Sequence, residues 1–287
     1  MSIRLTPLTD PDHRPHSHRL AWLASDNGGH PVGSAFLRLH HREALAQLAD
    51  VEINVHPAER GRGIGSLLLD AVIDTARDHD VRTLVAEVLD GAPAFWFARE
   101  HGFHVAVTLI YTRLDLAHAI LDPAPLPPGY RLVSWAGVVP DELAQTFTDA
   151  RSGMDDAPTG GLDYGAEIWD LDRTRQAAQV ISQRGEHLLT TAAVYGDVVV
   201  GYTELVVPGD GKGEGQHYGT AVLPAHRSRG VARAIKTEQL RLARQEFPDL
   251  SATLTDTVDT NVPMRHLNAL LGFLPTHTMH RCTLQVG

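Results

Sequence analysis

The chain of 287 residues predicts an α/β (α+β) fold made of two tandem domains, each a mixed, largely antiparallel twisted sheet flanked by helices. Three observations predict it. Landmarks recur at a near-constant offset: Arg60 and Arg227 lie 167 residues apart, Gly33 and Gly201 168, and the Gly-Phe pairs at 102 and 272 170. Self-similarity of that kind marks a duplicated unit. Short β-type runs alternate with stretches of helical period, the pattern of a sheet covered by helices. Between the copies, DPAPLPPG at 122–129 sets four prolines in seven residues, which forbids a helix or a central strand there and favours an extended connector. The division expected is therefore 1–121, a linker at 122–129, and 130–287.

In chain order, Ile3 to Leu8 reads as a first strand, and the polar loop DPDHRPHSH follows. His13, His16 and His18 lack Cys or carboxylates at ligand spacing, so a surface loop is expected there and no metal. His18 to Ala24 and Pro31 to His40 read as strands around the hairpin sequence DNGG. Val51 to Val55 is a strand, and Ile64, Leu67, Leu68, Ala71 and Val72 give the next helix a buried face. Leu84 to Val88 is a strand, Ala92 to His101 a helix ended by Gly102, and Val105 to Leu116 the closing strand.

The second copy opens at Tyr130-Arg131-Leu132, which matches Ile3-Arg4-Leu5. These openings are 127 residues apart, against about 168 for the later landmarks, so the first copy lacks roughly forty residues after its first strand. In the second copy that stretch reads as two helices, DELAQTFTDARSGM and AEIWDLDRTRQAAQVISQ, around DDAPTGGLDYG. Strands follow at Leu188 to Val194, Val198 to Val206 and Tyr218 to Leu223. A helix from Val231 to Glu246, a strand from Ala252 to Thr257 and a last helix from Val262 to Leu271 complete the pattern.

Each copy holds one strand, loop and helix start of a special kind. After Val222, Leu223 and Pro224, the residues Arg227, Ser228, Arg229, Gly230, Val231 and Ala232 read R-x-x-G-x-A; after Val55, the residues Arg60, Gly61, Arg62, Gly63, Ile64 and Gly65 read R-x-x-G-x-G. Small residues at a helix N-terminus let its orphan amides close around an anion, which the helix dipole also favours. Both stretches resemble the acetyl-CoA-binding signature of the GNAT superfamily of acyltransferases, and FAREHGF and HLNALLGF resemble the element that ends the coenzyme site there. The resemblance implies two GNAT-like domains, acetyl-CoA as coenzyme and a backbone N–H of Val222 or Leu223, and of Val55 in the first copy, polarising the thioester carbonyl. It also implies that the paired helices of the second copy wall the acceptor's side of the cleft. The first copy then keeps a coenzyme cradle without that wall. MDDAPTG is similar to a segment of bacterial tandem GNAT proteins, mycothiol synthase among them, though the likeness is loose outside the shared motifs.

Acyl transfer to an amine needs a held coenzyme, a polarised carbonyl, a neutral amine and a protonated leaving thiolate. In this superfamily a tyrosine four residues before the Gly of Gly-Phe often serves as the acid; here Ala98 and Asn268 stand there. Asn261 and Asn268 resemble amides that hold the pantetheine arm, with helix capping as the other reading of Asn261. Glu204, His217, Tyr218 and Asp256 come from strands that line the cleft and are the candidates for the catalytic base. Between Asp141 and Arg175 nine acids face three arginines. Asp155, Asp156 and Asp163 in the inter-helix loop are thus candidates to bind a cationic amine, polyamine-like or amino-sugar-like.

Composition narrows the classes further. The net charge of −10 argues against nucleic acid, whose phosphates need clustered Lys and Arg. No apolar run reaches membrane-spanning length and the N-terminus lacks a signal core. Cys282 is the single cysteine, so no intrachain disulfide forms and a cytoplasmic location is expected. The reading is an N-acetyltransferase acting on a small-molecule amine through a ternary complex, with a homodimer left open. A non-catalytic acyl-CoA-binding protein and an O-acyltransferase are its rivals.

Overall fold

The computed structural model describes residues 2–9, 13–14, 17–155 and 169–287. The first copy runs β1 (Arg4–Leu8), β2 (His13–Arg14), β3 (Ser17–Ser25), β4 (Pro31–His40), β5 (Leu48–Val55), α1 (Ile64–Asp78), β6 (Thr83–Leu89), α2 (Pro93–Glu100) and β7 (His104–Asp115). The second runs β8 (Tyr130–Ala136), α3 (Asp141–Ala150), α4 (Leu171–Gln183), β9 (His187–Tyr195), β10 (Val198–Val207), β11 (Gly213–Val222), α5 (Val231–Glu246), β12 (Leu250–Val258), α6 (Val262–Leu270) and β13 (Leu274–Gln285). Residues 122–127 are neither helix nor strand.

Two compact units emerge. One takes in Met1–Leu109 with Thr278–Gly287, the other the described residues between Ile110 and His277. In the first, β3, β4 and β5 pair antiparallel, β5 pairs β6 in parallel over Leu48–Asp50, and the end of β13 closes the sheet against β6. Cys282 and Val286 at that end are buried with Ile64, Leu68, Leu69 and Val72 of α1. In the second, β8, β9, β10 and β11 pair antiparallel and β11 pairs β12 in parallel. Leu114, Leu116 and Leu121 pack there with Leu240, Leu271 and Phe273.

Most expected elements form, though β2 pairs with β3 inside the expected polar loop and β11 starts at Gly213 rather than Tyr218, because pairing with neighbouring strands extends both; four further differences stand out. Leu67 is exposed while Leu69 is buried, because helix sides turn by 100° per residue and the core stripe falls on 64, 68, 69 and 72. The helix from Asp141 stops at Ala150 and tightens into a 3₁₀ turn at Arg151–Met154. The second wall helix starts at Leu171, where Asp170 caps it by accepting from the Arg173 N–H at 2.7 Å; that side-chain bond satisfies an orphan amide. Finally β13 is a strand the sequence does not announce. Its polar run LPTHTMHRCTLQ shows little alternation, and Met279–Gln285 pair with β6.

Candidate active site

In the second unit the two parallel strands pair only from Gly213 to Gln216 of β11 and from Leu250 to Leu254 of β12, then part into a wedge. Across the other edge of β11, Val222 stands opposite Gly201, and the Leu223 N–H is given to the Val200 carbonyl at 2.8 Å. In an antiparallel ladder that bond makes Val222 and Gly201 a non-hydrogen-bonded pair, so the Val222 N–H and C=O turn to the opposite side, into the wedge. The carbonyl is taken by Arg227 Nε at 2.8 Å, which leaves the Val222 N–H to face the opening. Leu223 is therefore corrected as a carbonyl-polarising donor, since its amide is spent in the sheet.

The first unit repeats this arrangement. Val55 stands opposite Gly33, the His56 N–H goes to Val32 O at 2.9 Å, and Arg60 Nε donates to Val55 O at 3.3 Å. Both arginines of the motif are thus struts on a strand end. Both paired glycines are required by space: a Cβ on Gly33 would sit 2.8 Å from Asn54 O, and on Gly201 3.0 Å from Ala221 O.

The loops close on the helices alike. Gly230 (φ 80°) and Gly63 (φ 76°) are left-handed N-caps, and neither α5 nor α1 has a side-chain cap. A Cβ on Gly63 would find no atom within 4 Å, and one on Gly230 only Pro125 O at 3.8 Å. Uncapped amides beneath open space fit a diphosphate. Gly61 is also left-handed, and its counterpart is Ser228 at φ 60°. A non-glycine residue there is strained by about 1 kcal/mol, so Ser228→Gly is expected to stabilise the chain by about that amount in urea unfolding without weakening coenzyme binding. Gly65 is small because a Cβ would meet the Phe97 ring at 3.1 Å, whereas the second copy accepts Ala232. Arg62 pairs with Glu59 at 2.6 Å, and Arg229 is exposed.

On the face of the sheet covered by α3, Arg151 Nη2 and Glu204 Oε1 form a buried ion pair at 2.6 Å. The guanidinium lies 4.1 Å from the Trp169 ring centroid, 4.9 Å from Phe147 and 5.5 Å from Tyr202. Burial raises the Glu204 carboxyl, and the Arg151 charge opposes that rise. Burial also holds the Tyr202 hydroxyl protonated, with the Asp155 charge adding slightly; Asp155 is exposed beside this cluster. Arg151, which the sequence shows only as one charge among many, is the centre of this cluster, and spacing alone does not reveal it.

His217 is buried, and burial, then the Lys236 charge, pushes its ring far toward the neutral form. The Glu204 carbonyl favours the protonated ring but falls short of hydrogen-bond geometry, so both ring nitrogens lack a partner. Tyr218 and Asp256 are exposed on β11 and β12. Asn261 caps α6 by accepting from the Met264 N–H at 3.3 Å. Asn268 is buried, accepting from Lys236 Nζ at 2.9 Å and donating to Thr257 Oγ1 at 3.1 Å. Both asparagines thus make contacts within the fold, Asn261 as the helix cap that was its other reading. Asp156 and Asp163 lie outside the described residues. Among the described residues no cluster of His, Cys, Asp or Glu is placed to hold a metal, and no helix is long and apolar enough to cross a membrane.

The chain matches the Acetyltransferase (GNAT) family over residues 3–103 and 155–273. A mycothiol acetyltransferase of Thermobispora bispora is 30% identical over 253 residues, covering 83% of this chain and 80% of that one. One from Geodermatophilus obscurus is 31% identical over 194 residues, 65% of this chain and 58% of its own length, so the match spans under two thirds of that relative. The fold is similar to that of a tandem GNAT protein from the clavulanic acid biosynthesis pathway, with a TM-score of 0.76 and 23% identity over 100% of this chain and 99% of that one. A GCN5-related N-acetyltransferase from Sphaerobacter thermophilus follows at 0.69 and 18%, over 93% and 80%. The chain belongs to the acetyltransferase (GNAT) family, as an acyltransferase of two tandem GNAT domains that uses acetyl-CoA.

Proposed function

We propose that the chain transfers an acetyl group to a primary amine of a small cationic acceptor, by direct attack in a ternary complex, and that the working site is in the second copy. The observation that carries this is the seating of the acceptor wall on the coenzyme loop. Arg227 Nη2 donates to the Gly153 carbonyl at 3.2 Å, and a Cβ on Gly153 would lie 3.2 Å from Ala221 Cβ. The loop arginine thus ties the end of the α3 segment to the strand end whose Val222 N–H faces the wedge. Among the described residues of the first copy no helix stands between its first strand and β3. The sheet face there carries a cavity of about 450 Å³ lined by Arg19, Phe36, Glu52 and Arg281.

Acetyl-CoA supplies an activated thioester when bound. The amides at the start of α5 would hold its diphosphate, and the Val222 N–H would be the oriented donor for a carbonyl oxygen that gains charge. Glu204 is the preferred base among the candidates. It lies on the wall side paired with Arg151, and burial raises its affinity for a proton while the Arg151 charge opposes that rise, the direction a general base needs. His217, held neutral by burial, is a poor proton acceptor, and Tyr218 and Asp256 remain open to solvent. Asp155 beside the cluster supplies negative charge for an ammonium group. The division of the chain at residues 122–129 is the accompanying proposal for where the copies join in sequence.

The test is release of free CoA thiol from acetyl-CoA with a panel of polyamines, amino sugars and matched alcohols, followed by mass analysis of the product. Acetylation of an amine is expected. Tight CoA binding with no thiol release from any acceptor would sink the enzyme reading in favour of a coenzyme-binding protein, and acetylated alcohols would move it to O-transfer.

A further inference from the structure

Four positions around the fork of β11 and β12 are apolar in the first copy and polar in the second. His217 stands opposite Leu205 as Val51 stands opposite Leu37, four residues past the paired glycines Gly201 and Gly33. Lys236 and Leu69 are each the sixth residue after the left-handed N-cap glycine. Thr257 and Val88 each lie three residues past the last parallel pair, which ends at Leu254 and at Val85. Asn268 and Ala98 each lend a carbonyl to the N–H of the closing phenylalanine, Phe273 at 3.0 Å and Phe103 at 2.9 Å.

All eight side chains are buried, none more than 9% exposed. In the first copy the four apolar residues belong to one hydrophobic core. In the second they form a chain of contacts. Lys236 Nζ donates to Asn268 Oδ1 at 2.9 Å, and Asn268 Nδ2 to Thr257 Oγ1 at 3.1 Å; Lys236 Nζ and the His217 ring lie 5.1 and 5.8 Å from the Phe273 ring centroid. Beside His217 the β10–β11 pairing shifts register between Glu204 and Leu205, whereas Gly33–Leu39 pairs with β5 without a shift. Bulges of that kind re-aim side chains next to active sites. The first copy demonstrates that the fold accepts apolar residues at all four positions, so burying polar ones is a cost that stability does not explain.

We propose that this cluster delivers a proton to the departing sulfur, with Lys236 as the donor and Asn268 and Thr257 holding its amine at the fork. The proposal rests on the acyl-transfer reading above. As the carbon–sulfur bond breaks, its electron pair stays on sulfur; a Lys236 N–H bond breaks toward the sulfur and its pair remains on Nζ. The proton that the acceptor nitrogen loses goes to Glu204 and on to solvent, and solvent returns one to Lys236. Lys236 suits this work because burial lowers its pKa to about 7, so its proton is loosely held. Among the described residues the groups that face it are His217 from β11, Thr257 from β12, Asn268 from α6 and the Phe273 ring beyond. Of these, His217 alone is titratable.

The test compares the full wild-type chain with Lys236→Leu/Asn268→Ala, the pair the first copy holds. The ionisation of bound CoA thiol is followed by thiolate absorbance, and CoA affinity by calorimetry. In the wild type the bound thiol is expected to ionise about tenfold more readily than free CoA, an effect of a nearby cation that the variant loses while its affinity for CoA changes by less than about threefold. Turnover is expected to fall about 100-fold. An identical thiol titration in both proteins overturns the proposal and leaves the acyl-transfer reading intact. Failure of the wild type to bind CoA overturns both.

Discussion

Gly230→Glu is expected to abolish release of CoA thiol, while Gly63→Glu leaves at least most of it. Gly230 sits at φ 80° with open space above it, so a side chain fits sterically but strains the backbone by about 1–2 kcal/mol. The larger effect is charge. A carboxylate placed at uncapped helix amides satisfies them itself and repels a diphosphate; at an effective dielectric near 20 one such pair of charges costs about 4 kcal/mol, or roughly three orders of magnitude in affinity. The same strain and repulsion act at Gly63 (φ 76°), but no wall helix accompanies that cradle among the described residues. Calorimetry with acetyl-CoA beside a thiol-release assay separates the two loops. If Gly63→Glu stops turnover and Gly230→Glu does not, the working site has been assigned to the wrong copy.

Lys236→Leu/Asn268→Ala is expected to make the chain more stable as it makes it less active. Lys236 is buried and carries a pKa of about 7 against an ordinary 10.5. Below pH 7 folded and unfolded chains both hold the proton, and the full cost of burying the charge is present. Between about 7 and 10.5 the unfolded chain holds the proton and the folded one does not, so wild-type stability rises with pH through that window. The variant has no such slope. Its gain is about 3 kcal/mol below pH 7, after allowing for the lost hydrogen bonds, and it shrinks toward pH 10. Urea unfolding at pH 6 and pH 9.5 measures both ends. Equal stability differences at the two pH values would show that Lys236 keeps its proton in the folded chain up to pH 9.5 and that burial does not lower its pKa.

The features legible in the sequence are those one residue type imposes locally. Glycines at φ near 80° stand where a left-handed bend must start a helix, prolines exclude a helix from 122–129, and helical or alternating apolar periods give most elements to within a few residues. Those marks, repeated at one offset, are enough to read a duplicated domain. The site's chemistry is less legible because its partners are distant in sequence. Arg151 meets Glu204 across 53 residues and Lys236 meets Asn268 across 32, and periodicity carries no record of such meetings. The internal repeat held a signal for Lys236, since it replaces Leu69 inside a core stripe.

By itself the sequence determined that two copies of one GNAT-like unit lie in tandem, because backbone conformations with φ above zero and missing amides can be met by few residue types. Tertiary structure alone decided that the end of β13 completes the first unit's sheet, that the Val222 amide and not Leu223's faces the wedge, and that Arg151 locks Glu204. Those outcomes depend on strand register and burial, which emerge only when segments far apart in the chain compete for the same hydrogen bonds and the same dry space.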